Sequence, residues 1–155
     1  MKEIKYILGD ATKPYGEGVK VIAHVCNDMG HWGKGFVMAL SKRWEEPKER
    51  YIKWYNESDK FYLGNIQLVK VEHNIFVANM IGQNGLLSDE NKTPFDCDAT
   101  RQCLSHLREV CMYDNVSVHM PRIGCGLGGA KWECVEKIIV DELCAYNIQV
   151  YVYDF

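Results

Sequence analysis

Short apolar runs with a two-residue alternation give way, repeatedly along the chain, to stretches whose apolar positions are three and four apart. Residues 2–8 read as a first strand, closed by Gly9 and Asp10. In residues 19–26, Val19, Val21, Ala23 and Val25 occupy one face, and Ile22, His24 and Cys26 the other. A strand apolar on both faces belongs inside a sheet covered on both sides. From Lys34 the period changes, with Val37, Leu40 and Trp44 on one helical face and Phe36 beside Leu40. Pro47 permits a second helix through Trp54, and Tyr51, Trp54 and Tyr55 read as its packing face. Strands are expected over 64–71 and 74–81, then a long loop over 82–98, a length usual for functional or mobile segments. Asp98 or Thr100 is expected to cap a helix that turns Leu104, Leu107 and Cys111 inward. A strand over 115–120, a helix carrying Trp132, Val135, Ile139 and Leu143, and a last strand over 148–153 complete the alternation. The expected class is α/β: a mixed or parallel sheet of about six strands between helices, a three-layer sandwich.

Length and composition narrow the function. A chain of 155 residues that is 47% apolar and 25% charged is expected to fold as one domain, 1–155, with a real core. The formal charge of −3 argues against an electrostatic grip on long nucleic acid. The longest uncharged stretch, 73–88, is interrupted by Asn79, Gly82, Gln83, Asn84 and Gly85, so no membrane span is expected. The N-terminus lacks the apolar core of a signal peptide, which points to the cytoplasm. Seven cysteines without a C-x-x-C pair, with Cys26, Cys103 and Cys111 at core positions, read as buried reduced thiols. Neither metal nor cofactor is expected. Cys125 stands in a glycine loop, but nothing marks a partner that would make it a nucleophile.

Two glycine-rich segments follow strands and precede helices: residues 27–35 (Asn-Asp-Met-Gly-His-Trp-Gly-Lys-Gly) and 121–129 (Pro-Arg-Ile-Gly-Cys-Gly-Leu-Gly-Gly). Ligands of such folds bind beyond the carboxyl ends of the strands. Glycines let backbone amides approach an anion, and a helix start adds partial positive charge. Two such loops facing each other can cradle a diphosphate; either alone is better read as a tight turn. Neither matches the ATP-binding P-loop or a Gly-x-Gly-x-x-Gly dinucleotide site.

Taken together in order, Gly9-Asp10-Ala11-Thr12, His24-Val25-Cys26-Asn27, Gly33-Lys34-Gly35 and the 121–129 segment resemble a macro domain along essentially the whole chain. The branch resembled contains the terminal ADP-ribose protein glycohydrolases, the yeast-type ADP-ribose-1″-phosphate phosphatases and an antitoxin that strips ADP-ribose from DNA. The resemblance implies a three-layer α/β/α macro-domain sandwich with a mixed sheet, and ADP-ribose or a derivative as ligand. It implies that Asp10, beside Ala11, accepts a hydrogen bond from the adenine amine, and that Tyr153 and Phe155 pack on the base. An Asx-type turn at Asp10 and core packing by the two aromatics are the plain structural alternatives. Diphosphate contacts fall to Gly33, Lys34 and Gly35 in the first loop. In the second they fall to Ile123, Gly124, Cys125, Gly126, Leu127 and Gly128. Asn27 matches the asparagine that bonds the distal ribose, with Gln83 nearby.

The family's catalytic residues are partly missing. Lys34 stands where the protein-deacylating enzymes carry an aspartate, and Gly128 where the terminal glycohydrolases carry another. Gln83 lies nearest the place of their lysine, and glutamine is no nucleophile. Asn27, Asn79 and His31 remain as candidate catalytic groups, with His31 suited to a terminal phosphate or its water. His24, in mid-strand, reads as a core histidine. The expected activity is hydrolysis of ADP-ribose 1″-phosphate to ADP-ribose and phosphate. The alternatives are a reader of free or protein-linked ADP-ribose, and a glycohydrolase acting on protein or DNA. A domain standing alone favours an enzyme, since a reader needs something to recruit.

Overall fold

A computed structural model describes residues 1–113 and 115–154. Six strands form one sheet: β1 (Lys5–Leu8), β2 (Val19–Asn27), β3 (Ile66–Glu72), β4 (Ile75–Gln83), β5 (Val116–Met120) and β6 (Gln149–Asp154). Their spatial order is β1-β6-β5-β2-β4-β3. Among the described strand pairs, only β3–β4 is antiparallel, so the sheet is mixed.

The two-sided burial expected of β2 is present. Val21 and Ala23 face a core shared with α3 (Cys97–Cys111) and α4 (Trp132–Glu142), through Leu104, Leu107, Val135 and Ile139. Ile22 and Cys26 face a second core under α1 (Phe36–Arg43) and α2 (Glu46–Glu57), built from Leu40, Trp44, Tyr51 and Trp54. These are the three layers. Register alignment puts Ile22, His119 and Tyr151 in one row across β2, β5 and β6. Past β2, that face is covered by the β1–β2 connection, where Tyr15 packs edge-on against Tyr151 with ring centroids 5.7 Å apart.

Several local expectations are corrected. β1 begins at Lys5, three residues late, because residues 1–3 are exposed and have no sheet partner to extend. The cap of α3 is Asp96, whose carboxylate accepts the Ala99 N–H at 2.9 Å, and not Asp98 or Thr100. The long loop shrinks at both ends, since β4 continues to Gln83 and the helix starts at Cys97. The thiols are not all buried: Cys97 and Cys134, in the first turns of α3 and α4, are exposed.

Candidate functional site

The carboxyl ends of β2, β4 and β5 open into a cleft of about 800 Å³. Three connections wall it: the first glycine loop (28–35), the β4–α3 loop (84–96) and the second glycine loop (121–131). A crevice at strand ends between diverging loops is the usual ligand position in such sheets.

The first loop is organised by Asn27, the last residue of β2. Its Oδ1 accepts the Met29 N–H at 2.9 Å and the His31 N–H at 3.2 Å, while its Nδ2 donates to the His31 carbonyl at 2.7 Å. Most of this amide is therefore spent inside its own loop, leaving one N–H for a ligand. Asp28 ties the first glycine loop to the β4–α3 loop, accepting the Gly85 N–H at 2.9 Å. The β4–α3 loop in turn supports the second glycine loop. Phe95 is buried beneath Gly124, and its N–H donates to the Gly128 carbonyl at 3.1 Å. Gly124 has φ +76°, and a Cβ there would strike the Phe95 ring, so both backbone and space require glycine.

Among the described residues, the N–H groups of Gly33, Lys34, Gly35, Gly126, Leu127 and Gly128 donate to no carbonyl or side chain. All six residues line the cleft. Unsatisfied amides on two facing loops make an anion-binding cradle. The charge of the lining agrees, because Lys34 and Arg122 contribute cations and no described lining residue is a carboxylate. Arg122 is already held by Asp154, with Nε and Nη2 at 2.6 and 2.9 Å from its carboxylate oxygens. Its guanidinium also lies over the rings of Tyr6 and Trp132. Lys34 is exposed and has no such partner among the described residues.

Asn27, His31, Lys34, Gln83, Ile123 and the glycines of both loops except Gly129 border the cleft, whereas Cys125, expected as a ligand contact, does not. Gln83 turns back on its own loop, donating to the Gly85 carbonyl at 3.2 Å. Burial pushes the Cys125 thiol above its ordinary value, which opposes thiolate chemistry. Asn79, expected as a catalytic group, does not line the cleft. It pairs in register with His24, is wholly buried, and donates to the Pro47 carbonyl at 3.1 Å and to Gln67 Oε1 at 3.0 Å. Those two donations fix its Oδ1 as acceptor for the His24 Nε2–H at 2.6 Å. Burial lowers the His24 pKa to about 4, so the ring is neutral near pH 7.

Asp10, two residues past β1, and Tyr153, near the end of the neighbouring β6, do not line the cleft. Asp10 makes the Asx turn: its Oδ1 accepts the Thr12 N–H at 2.8 Å and the Thr12 hydroxyl at 2.7 Å. Ala11 is buried. Tyr153 is 5% exposed, and its hydroxyl accepts the Tyr15 N–H at 2.8 Å and shares a hydrogen bond of 2.7 Å with His119 Nδ1. Its phenol is a core tie for the β1–β2 connection and offers little surface to a base. Phe155 lies outside the described residues.

Four contributors were not apparent from the pattern. Tyr51 reaches the first loop from α2, Phe95 supports the second, and Leu86 and Leu87 wall the mouth. A lone phenylalanine in the polar stretch 88–98 was the one available signal, since a buried aromatic is what such a loop needs as an anchor.

No protein-family model matches the chain. Among curated proteins, an ADP-ribose 1″-phosphate phosphatase of Candida albicans is 29% identical over 96% of this chain and 99% of its own length. A chromodomain-helicase-DNA-binding protein 1-like of Danio rerio is 29% identical over 97% of this chain, which spans only 15% of that relative. Among solved structures, a Bacteroides thetaiotaomicron protein of unknown function is 54% identical, with a TM-score of 0.96 and 99% of both chains covered. A macrodomain protein from Streptomyces coelicolor is 44% identical, with a TM-score of 0.88 and again 99% of both chains covered. Thermosipho africanus DarTG, solved in complex with ADP-ribose, shares the fold at 18% identity and a TM-score of 0.71, over 87% of this chain and 38% of its own.

Proposed function

This chain belongs to the macrodomain family, and from that premise we propose that its cleft binds ADP-ribose and hydrolyses ADP-ribose 1″-phosphate to ADP-ribose and phosphate. We take residues 1–155 as one such domain. The observation that carries the reading is the pair of facing loops with six unpaired amides and a lining without carboxylates. A diphosphate has the charge and oxygen count to satisfy those donors. The full-length match to relatives named ADP-ribose 1″-phosphate phosphatases supports the same substrate.

Hydrolysis here needs little beyond positioning and charge stabilisation. Water attacks the phosphorus, the bond to the 1″ oxygen breaks, and that oxygen takes a proton as ADP-ribose leaves. The loop amides and Lys34 are placed to stabilise the phosphoryl oxygens. His31, whose backbone is held by Asn27 while its ring is exposed, is the imidazole available to move the proton. Asn27 contributes loop geometry and its one remaining N–H to the ribose. Asp10 keeps Oδ2 for the adenine amine while Oδ1 holds the turn. Asn79 has no part in the reaction.

The test is a parallel incubation with ADP-ribose 1″-phosphate, glutamate-ADP-ribosylated protein and ADP-ribosylated DNA. Phosphate release from the first, with little ADP-ribose from the others, is expected, and His31→Ala should slow it. Vigorous deacylation of the protein would overturn the reading. A second reading, a binder without turnover, is favoured by the lack of any carboxylate in the described lining. Tight ADP-ribose binding with all three substrates untouched would select it.

A further inference from the structure

The first loop's shape depends on a residue outside the cleft. Tyr51 of α2 is fully buried, its ring packed against Trp32 and Phe61 at centroid distances of 5.4 and 5.6 Å. Its hydroxyl lies 2.6 Å from the Asn27 carbonyl oxygen and 3.0 Å from Asn27 Oδ1.

Hydrogen-bond capacity assigns the proton. The two lone pairs of Asn27 Oδ1 are already taken by the N–H groups of Met29 and His31. The phenol proton therefore goes chiefly to the main-chain carbonyl, the shorter contact, with Asn27 Oδ1 as a second, longer acceptor. The carbonyl belongs to the residue where β2 ends: the β2–β4 register shifts between Cys26 and Asn27. Without the hydroxyl, this buried carbonyl loses a donor at the point where the chain turns into the loop, and such losses are costly. Burial, the first cause, raises the Tyr51 pKa well above that of an ordinary phenol, so the group is a donor throughout the working pH range.

We propose that Tyr51 is a positioning residue for the ligand cleft: through Asn27 it holds residues 27–31 in the one turn that presents the Gly33–Gly35 amides to an anion. The link to a ligand rests on the ADP-ribose reading; the link to the loop does not. Tyr51 never touches the ligand. It conveys the rigidity of the aromatic layer under α1 and α2 to the cleft wall.

Tyr51→Phe keeps the ring and removes the hydroxyl. Amide hydrogen exchange at Met29 and His31 should then accelerate about tenfold, and ADP-ribose affinity should fall about three- to tenfold, the worth of one hydrogen bond. Trp54→Phe, in the same aromatic layer without a bond to Asn27, is the control. At a similar loss of melting temperature it should leave both readouts near wild type. In the wild type the Tyr51 hydroxyl proton should exchange slowly enough to be seen by NMR, a readout needing no variant. Wild-type exchange at Met29 and His31 in Tyr51→Phe, or a fast-exchanging hydroxyl, would overturn the proposal. If the wild type binds no ADP-ribose, the ligand reading fails by itself, and the exchange data still decide the role of Tyr51.

Discussion

Of the four glycines between 124 and 129, Gly126 is the one with room for a side chain. A Cβ built there meets nothing within 4 Å and its φ is ordinary, whereas at Gly124, Gly128 and Gly129 a Cβ would collide with the Phe95 ring or with backbone. Gly126→Val should therefore leave the fold intact. Restricting the unfolded chain can even add about 0.4–1 kcal/mol of stability where the native angles suit the new residue. The cleft pays instead. A phosphate oxygen must come within about 3 Å of the loop amides to bond them, while a methyl carbon keeps other atoms some 3.5–4 Å away. The two cannot share the space in front of Gly126 and Leu127. Losing two charge-assisted hydrogen bonds at about 1.5–3 kcal/mol each predicts an affinity loss of roughly 10²–10⁴-fold. Calorimetric titration with ADP-ribose, beside thermal melting of both proteins, reads both quantities. A Gly126→Val protein that melts with the wild type and binds ADP-ribose equally well would refute the cradle. A large fall in melting temperature would refute the account of the loop.

Asp10→Ala should weaken ADP-ribose binding by about 1.5–3 kcal/mol, and wild-type affinity for the inosine analogue should fall alongside; equal affinity for both nucleotides would remove Asp10 from adenine recognition. Burial depresses His24 to about 4 and His119 to about 3 from 6.5, so the unfolded chain binds more protons than the folded one across that window. Stability, read from urea midpoints, should accordingly hold above pH 6.5 and drop below it, by up to about 1.4 kcal/mol per pH unit for each histidine; a midpoint constant from pH 7 to 4.5 would contradict the burial. In the native protein a small thiol reagent should modify Cys97 and Cys134 first, while Cys26, Cys103, Cys111 and Cys144 react only on unfolding. Rapid native labelling of Cys103 or Cys111, whose thiols burial raises to about 12, would argue against that packing.

The layered fold was legible because alternation and helical period speak directly about burial. The two faces of β2 were separated correctly, and each met its own core. What periodicity leaves open is which neighbour covers a given stretch of face. Tyr153 and Asn79 both alternate to a covered side. One is roofed by the β1–β2 connection and the other by α2, so neither side chain lines the cleft. Capping failed by two residues at α3 because Asp96, Asp98 and Thr100 are all competent caps; the bridge between Gln83 and Phe95 selects Asp96 by fixing where the loop ends. In the site, the glycine loops were visible as local composition. The supports of those loops, Tyr51 and Phe95, act across long sequence separations and left no local mark. Asn27 was read as a ligand contact, and its neighbours show that most of its amide serves the loop itself.

The most direct measurement is a crystal structure of the protein with ADP-ribose bound. The account predicts the diphosphate between the two glycine loops, its oxygens within about 3 Å of the Gly33–Gly35 and Gly126–Gly128 amides, with the adenine at Asp10 and the distal ribose beside Asn27 and His31. A nucleotide bound elsewhere, or lying in this cleft with its diphosphate away from both loops, would contradict it.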